Sequence, residues 1–131
     1  MDQRISIITL GVANLPKSTK FYQDLGFTLQ PGNTQISFFE LQGTWLALYP
    51  KDTLAQDAKV KNESQGFAGF TLAHNVASKE EVDQILKHAA GIGAKITDPA
   101  HTRDWGGYSG YFQDPDGYLW EIAWNPYFKI L

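Results

Sequence analysis

The sequence predicts an α+β fold in which the order strand, helix, three strands occurs twice. Each half opens with a β-branched, apolar segment, and the two segments share a Thr-Leu pair, Thr9-Leu10 and Thr71-Leu72. Each segment precedes a helix that carries its own start signal. Polar residues over 51–65 separate the halves. We therefore expect two βαβββ modules.

The expected organisation is a single domain made of these modules, because 131 residues suit one domain. With 43% hydrophobic and 19% charged residues, the chain can form a core and has too little charge bias for disorder. The first module covers about 1–50, the connection about 51–65 and the second module about 66–131.

In the first module the helix has the clearest boundaries. Asn14 or Leu15 is expected to cap it, Pro16 lies in the first turn where its missing N–H costs nothing, and Gly26 ends it. The helix is predicted from Pro16 to Leu25, and strands are predicted over Ile5–Leu10, Phe27–Leu29, Gln35–Leu41 and Thr44–Tyr49.

In the second module a capping box starts the helix, because Ser78 and Glu81 can each bind an otherwise orphan backbone donor. The turn Asp114-Pro115-Asp116-Gly117 has proline and glycine where a type I turn between two strands favours them. The helix is predicted from Lys79 to Ala90, and strands are predicted over Phe67–Ala73, Lys95–Thr97, Tyr108–Gln113 and Tyr118–Trp124.

Composition excludes several function classes. The formal charge of −3 and the absence of a basic cluster argue against nucleic acid as a partner. With no cysteine, the chain has no disulfide framework, thiolate nucleophile or cysteine-ligated metal. The apolar opening run, Ile5 to Leu15, is interrupted by polar residues and is shorter than the roughly 18 apolar residues of a membrane span. We expect a cytoplasmic protein with no membrane partner.

Two motifs give the chain a family resemblance. The run LGVANL at 10–15 precedes Ser18, Phe21-Tyr22 and Leu25-Gly26-Phe27, and DPDGYLWE follows at 114–121. In order and separation they resemble the vicinal oxygen chelate superfamily, which includes glyoxalase I, extradiol dioxygenases and the fosfomycin and bleomycin resistance proteins. The resemblance implies a mixed sheet curled into a cup, helices outside, a small-molecule site inside and a homodimer.

The resemblance also implies where a divalent metal would bind, on the first and last strands of each module. The corresponding positions are Ile7, Phe67 or Gly69, Ala47 and Glu121. Of these, only Glu121 can ligate a metal, and an octahedral ion needs about three protein ligands. We expect no cofactor and none of the usual metal.

A relocated metal site is the alternative, with His74 or His101 joining Glu121. His74 follows a predicted strand and is otherwise a loop histidine bonded to backbone. His101 lies in a predicted polar loop before the Trp105-Gly106-Gly107 turn, where it could reach the rim of the cup.

Alternation in the last strand predicts which residues face the cup. Two tryptophans and an isoleucine on one side are expected to form the core, so Glu121 faces the cup with Leu119 and Ala123. A partly desolvated carboxylate there suits a general base. A plain solvent-facing glutamate is the competing interpretation.

The other candidate residues are aromatic or hydroxyl-bearing and would line the cup or its rim. Parity places Trp45, Ala47 and Tyr49 on one face of a strand, and Phe67, Gly69 and Thr71 on one face of another. The predicted ligand-binding residues are Trp45, Tyr49, Phe67, Thr71, Trp105, Tyr108 and His101.

The leading hypothesis is a glyoxalase- or bleomycin-resistance-like protein that binds a small organic molecule in an aromatic-lined cup. It would lack the usual metal site and could act as a lyase or isomerase through proton transfer at Glu121. The alternatives are a non-catalytic protein that sequesters a drug or metabolite, and a metal-dependent lyase or dioxygenase with a relocated metal site.

Overall fold

The computed structural model describes residues 1–127, which divide between Ser64 and Gln65 into a first and a second compact unit. The first unit contains β1 (Ile7–Val12), α1 (Leu15–Leu25), β2 (Ser37–Glu40), β3 (Trp45–Pro50) and α2 (Lys51–Asp57). The second unit contains β4 (Leu72–Val76), α3 (Lys79–Gly91), β5 (Lys95–Thr102), β6 (Tyr108–Gln113) and β7 (Leu119–Trp124).

The two sheets have matching topologies. In the first unit the strand order is β1-β3-β2, with β1 parallel and β2 antiparallel to β3. In the second unit the order is β4-β7-β6-β5, with β4 parallel to β7 and the other pairs antiparallel. Each module thus pairs its first strand with its last, and the predicted α+β fold of two similar modules is confirmed.

Helix α1 begins and ends as its sequence predicts. The Asn14 side chain accepts a hydrogen bond from the Lys17 N–H at 3.1 Å, and Pro16 lies in the first turn. Gly26 forms the C-cap with φ of 122°, in the left-handed region that glycine adopts without strain. Asn14, rather than Leu15, is therefore the cap.

Aromatic packing on α1 forms the core of the first unit. Tyr22 is fully buried, and its ring lies 6.0 Å from that of Phe27 and 6.1 Å from that of Phe39. The hydroxyls of Thr19 and Ser37, both buried, are 2.6 Å apart, so the helix and β2 also share a hydrogen bond. Leu10, Val12, Leu46 and Leu48 complete the buried face.

The strand predicted over Phe27–Leu29 is wrong, because only an isolated bridge joins Leu29 to Phe39. The Phe27 ring packs in the core, and Pro31 follows two residues after Leu29. Proline has no N–H to donate to a ladder, so Pro31 does not extend the pairing that starts at Leu29. The first sheet therefore has three strands where the second has four.

Helix α3 covers one face of the second sheet. Ser78 accepts from the Glu81 N–H at 3.2 Å, while the Glu81 carboxylate binds the Ala77 N–H at 3.2 Å. The capping box is thus present, with its return bond shifted by one residue. The buried residues of the helix are Val82, Leu86 and Ala89, and those of the sheet facing it include Phe112, Trp120 and Ile122.

Strand β4 starts at Leu72 instead of Phe67, so the prediction of a strand over Phe67–Ala73 is wrong at its start. Gly66 and Gly69 have φ of 73° and 86°, a left-handed conformation that breaks an extended strand. Phe67 is 69% exposed and lies outside any strand. The predicted shared face of Phe67, Gly69 and Thr71 therefore does not form.

Two other segments are more regular than the sequence indicates. The predicted connection contains α2, whose Leu54 is half-buried. The predicted loop around His101 is part of β5, whose pairing with β6 is interrupted by register shifts around Pro99. Bulges of this kind accommodate a proline inside a ladder.

No helix described within residues 1–127 is long and apolar enough to cross a membrane.

The turn between β6 and β7 depends on a buried carboxylate. Asp114 is 5% exposed, and its Oδ1 accepts from the N–H groups of Asp116 at 2.9 Å and Tyr118 at 2.8 Å. The Gly117 N–H donates to the Asp114 carbonyl at 3.0 Å, as expected for the predicted type I turn.

We predict that Asp114→Ala lowers the free energy of unfolding by about 1 to 3 kcal/mol, because two backbone donors lose their acceptor. Urea denaturation measures this loss. Asp114→Asn is the matched variant, since its amide oxygen can still accept, and it should lose less. Equal losses in both variants would mean that hydrogen bonding is not the main contribution of Asp114.

Candidate active site

Glu121 lies on the face of the second sheet that turns away from α3. Its neighbours Trp120 and Ile122 are buried on the α3 side, and successive side chains of a strand point to opposite faces. In register, Glu121 pairs with Tyr111 of β6 and Ala73 of β4. We call the side of the sheet that carries Ser109, Tyr111 and Glu121 the Glu121 face; Ser109 is buried on it.

Tyr111 and Glu121 form a phenol–carboxylate pair on this face. Burial raises the pKa of Tyr111 above its ordinary value of 10.0, and the charge of Glu121 and a hydrogen bond to its side chain raise it further, while Arg103 acts in the opposite direction. Tyr111 therefore keeps its proton near neutral pH, and its phenol lies opposite the Glu121 carboxylate in the sheet register.

Arg103 is held beside this pair by three hydrogen bonds. Its Nε donates to the Ser109 hydroxyl at 2.7 Å, and one Nη donates to the Asp98 carboxylate at 2.8 Å and to the Ser109 carbonyl at 3.1 Å. The guanidinium lies 5.5 Å from the centre of the Tyr111 ring, within cation–π range. With a side chain only 19% exposed, Arg103 is a fixed positive charge on the Glu121 face.

Asp98 balances this charge. The hydrogen bond from Arg103 holds the pKa of Asp98 below its ordinary value of 3.8, burial opposes the shift, and His101 contributes a second, weaker hydrogen bond. The Nε2 of His101 is 3.2 Å from the same carboxylate oxygen that Arg103 binds, and its Nδ1 is 3.0 Å from the Thr102 carbonyl. The predicted site residue His101 therefore joins a network that continues through Asp98 and Arg103 to Tyr111.

Tyr108 and His74 lie on the other side of the sheet. The Tyr108 hydroxyl donates to Asp83 of α3 at 2.7 Å, and Lys79 of the same helix lies over its ring at 5.8 Å. His74 pairs in register with Ile122, one position from Glu121, and so projects from the opposite face. The structure does not bring either residue together with Glu121.

Trp105 lies in the turn between β5 and β6 and is 46% exposed. Its ring covers Gly107 so closely that a Cβ on that glycine would lie 1.9 Å from the ring. A residue with a side chain at 107 would therefore displace Trp105. Phe67 and Thr71, the other predicted residues of this unit, are exposed in the segment before β4.

The remaining predicted residues, Trp45 and Tyr49, are on β3 of the first unit. The Trp45 ring packs against that of Phe38 at 6.0 Å. Tyr49 lines a cavity of about 420 Å³ within this unit, together with Thr9 of β1. Trp45, Ala47 and Tyr49 alternate along the strand with Leu46 and Leu48, and Ala47 is buried like the two leucines.

Sequence reasoning missed four residues of the network. Asp98 and Arg103 carry no motif, and they meet because β5 bulges. Ser109 and Tyr111 could have been found, because alternation from the Asp114 turn places them on one face and Tyr108 on the other. The four residues are Asp98, Arg103, Ser109 and Tyr111.

The donor set does not fit a metal of the type that the family resemblance implies. At the corresponding positions of the first unit, Ile7 and Ala47 carry no donor, and Phe67 and Gly69 of the second unit are equally unable to ligate. Within residues 1–127 no three histidine, cysteine or carboxylate side chains are grouped so that they could hold a metal ion.

A family model and a solved structure both relate this chain to glyoxalase-type proteins. The family model described as Glyoxalase/Bleomycin resistance protein/Dioxygenase superfamily matches residues 4–122. A crystal structure of a glyoxalase-related enzyme from Fulvimarina pelagi superposes with a TM-score of 0.88 at 35% identity, covering 95% of this chain and 90% of that one.

Two curated relatives are named metallothiol transferase FosB. The protein from Shouchella clausii (strain KSM-K16) is 30% identical over 93% of this chain and 80% of its own length. That from Lysinibacillus sphaericus (strain C3-41) is 29% identical over 92% of this chain and 81% of its own length.

We predict that Glu121→Gln lowers the pKa of Tyr111 toward 10.0, because the variant removes a neighbouring negative charge. NMR of ¹³Cζ-labelled tyrosine, with Tyr111→Phe to assign the signal, measures the change. Asp83→Asn is the matched control. The hydrogen bond to Asp83 raises the pKa of Tyr108. The Asp83→Asn variant should therefore lower the pKa of Tyr108 and leave the pKa of Tyr111 unchanged. An unchanged Tyr111 titration in Glu121→Gln would refute the pairing.

Proposed function

The chain belongs to the glyoxalase/bleomycin resistance protein/dioxygenase superfamily, and from this premise we propose that it binds a small organic molecule on the Glu121 face and transfers a proton on it. The observation that carries the proposal is the register of β6 and β7, which sets Tyr111 opposite Glu121, so that a carboxylate and a protonated phenol lie on one face beside the cation of Arg103. The reaction class would be that of a lyase or isomerase.

In the proposed step Glu121 accepts a proton from a carbon next to a carbonyl group. The C–H bond breaks, the proton goes to the carboxylate, and the electron pair moves to the carbonyl oxygen. The Tyr111 hydroxyl donates a hydrogen bond to that oxygen, and the positive charge of Arg103 stabilises the developing negative charge. If the substrate carries a hydroxyl on the carbon that loses the proton, return of the proton to the former carbonyl carbon, with transfer of the hydroxyl proton to the former carbonyl oxygen, completes an isomerisation.

The ligand contacts are part of the proposal. We propose that the ligand contacts His101 and Trp105, which flank Arg103 in the sequence. His101 is bonded to Asp98, and Trp105 lies in the turn that follows. Roles for Trp45, Tyr49, Phe67, Thr71 and Tyr108 stay predictions from the sequence. A homodimer, a cytoplasmic location and the absence of a nucleic-acid partner also stay proposals, supported by the family, the cysteine-free composition and the charge of −3.

Sequestration without chemistry is the second candidate. It is favoured by the hydrogen bonds that join Arg103 to Asp98 and Ser109, since a network that is already paired can serve as a rigid binding surface. The two candidates differ in whether the carboxylate of Glu121 accepts a proton from the bound ligand.

We predict that Glu121→Gln lowers proton transfer at least about 100-fold, the usual contribution of a general base, and changes ligand affinity only slightly. A panel of small aldehydes and ketones is incubated in D₂O, and ¹H NMR measures deuterium incorporation next to the carbonyl. Glu40→Gln, an exposed acid on β2, is the charge-matched control. Binding without incorporation in the unaltered protein would favour sequestration, and incorporation that survives Glu121→Gln would refute the role of Glu121.

Metal independence is a separate prediction, because the FosB relatives are named as metallothiol transferases while the family's donor positions here hold Ile7, Ala47 and Phe67 or Gly69. Protein purified without a histidine tag should contain no stoichiometric nickel, zinc or iron, and a chelator should not change its Tm. One equivalent of tightly bound metal that is lost in Glu121→Gln would overturn this prediction. His74 and His101 would then be tested as additional ligands.

A further inference from the structure

The cavity of about 420 Å³ in the first unit has a volume typical of small-ligand sites. It lies where the loop before β2, the strands β1 and β3 and the helix α2 meet. Thr9 and Tyr49 contribute hydroxyls from the sheet, and α2 contributes Leu54 and Asp57. The proposed function on the Glu121 face does not use any of these residues.

The loop wall of the cavity is held in place by an Asx turn. The Oδ1 of Asn33 accepts from the N–H groups of Gln35 at 2.9 Å and Ile36 at 3.3 Å. This leaves the amide NH₂ of Asn33 and the amide of Gln35 for other partners. Ile36 and Leu54 supply apolar surface in the same cavity. A ligand here would meet both hydrogen-bonding groups and apolar surface.

Asp57 determines which ligand charge the cavity favours. It is the one carboxylate among the described lining residues, and no cationic side chain lines the cavity with it. Within residues 1–127 it forms no ion pair, and α2 has no basic residue in its last turn. The C-terminal carbonyls of a helix add partial negative charge at the same end. The cavity therefore presents uncompensated negative charge.

We propose that this cavity binds a small organic ammonium ion. The ammonium group pairs with Asp57, and the uncharged part of the ligand lies against Ile36 and Leu54. The hydroxyl of Tyr49 or the amide of Gln35 forms a hydrogen bond with a polar substituent of the ligand. An anion would face the Asp57 carboxylate without a compensating cation. The net charge of −3 adds long-range attraction for cations.

Three probes of similar shape and different charge test the proposal: benzylamine, benzyl alcohol and benzoate. ¹⁵N–¹H NMR titrations follow the backbone signals of the whole chain. Benzylamine should shift the signals of Gln35, Ile36, Leu54 and Asp57 and bind about three- to fivefold more tightly than benzyl alcohol, the range expected for a partly exposed ion pair. Benzoate should bind least. Equal binding of benzoate and benzylamine, or shifts confined to other residues, would overturn the proposal.

Two variants of α2 separate the local pairing from the overall charge. Asp57→Asn should reduce benzylamine affinity to that of benzyl alcohol. Asp52→Asn removes the same charge from the same helix outside the cavity, and its amide can still bond to Asn62, so it should retain the preference for benzylamine. Loss of the preference in both variants, or in neither, would refute the pairing with Asp57. The amide spectra of both variants report directly whether the first unit is folded.

Discussion

The alternation of side chains along β7 is the constraint on which the candidate active site depends. Trp120 and Ile122 are buried against α3. Because neighbouring residues of a strand point to opposite faces, burying these two forces Glu121 to the other side. The antiparallel register then places Tyr111 opposite Glu121, so that core packing on one face determines the pairing of acid and phenol on the other.

The bulged path of β5 supplies the charge on this face. The register shifts around Pro99 let Asp98 and His101 approach each other, and Asp98 in turn holds Arg103 over the Tyr111 ring. Because Asp98 already holds the Arg103 side chain in place, this side chain loses little conformational entropy when a ligand binds. The cation is therefore preorganised for a developing negative charge. The irregularity of the strand thus contributes directly to the chemistry proposed for the site.

The first unit illustrates how a segment without a motif can acquire a role. The residues after β3 are polar and resemble a plain connection, yet they form α2 and place Leu54 and Asp57 beside Thr9 and Tyr49. A seven-residue helix has little stability by itself. Its half-buried positions, which pack on β1 and β3, explain why it forms in this chain and why propensity alone did not reveal it.

The sequence by itself determined the features that depend on local chemistry: the caps of α1 and α3, the Asp114 turn, the repeated order of elements and the orientation of Glu121 by alternation. Tertiary structure decided what depends on non-local register and backbone conformation. The glycines before Leu72 delayed β4, Pro31 limited Leu29 to one bridge, and the bulge at Pro99 joined His101 to the network. Tyr111, rather than the predicted site residue Tyr108, lies opposite Glu121. Alternation along β6 separates the two tyrosines, but the pairing of β6 with β7 and the packing of α3 on one face decide which of them meets Glu121.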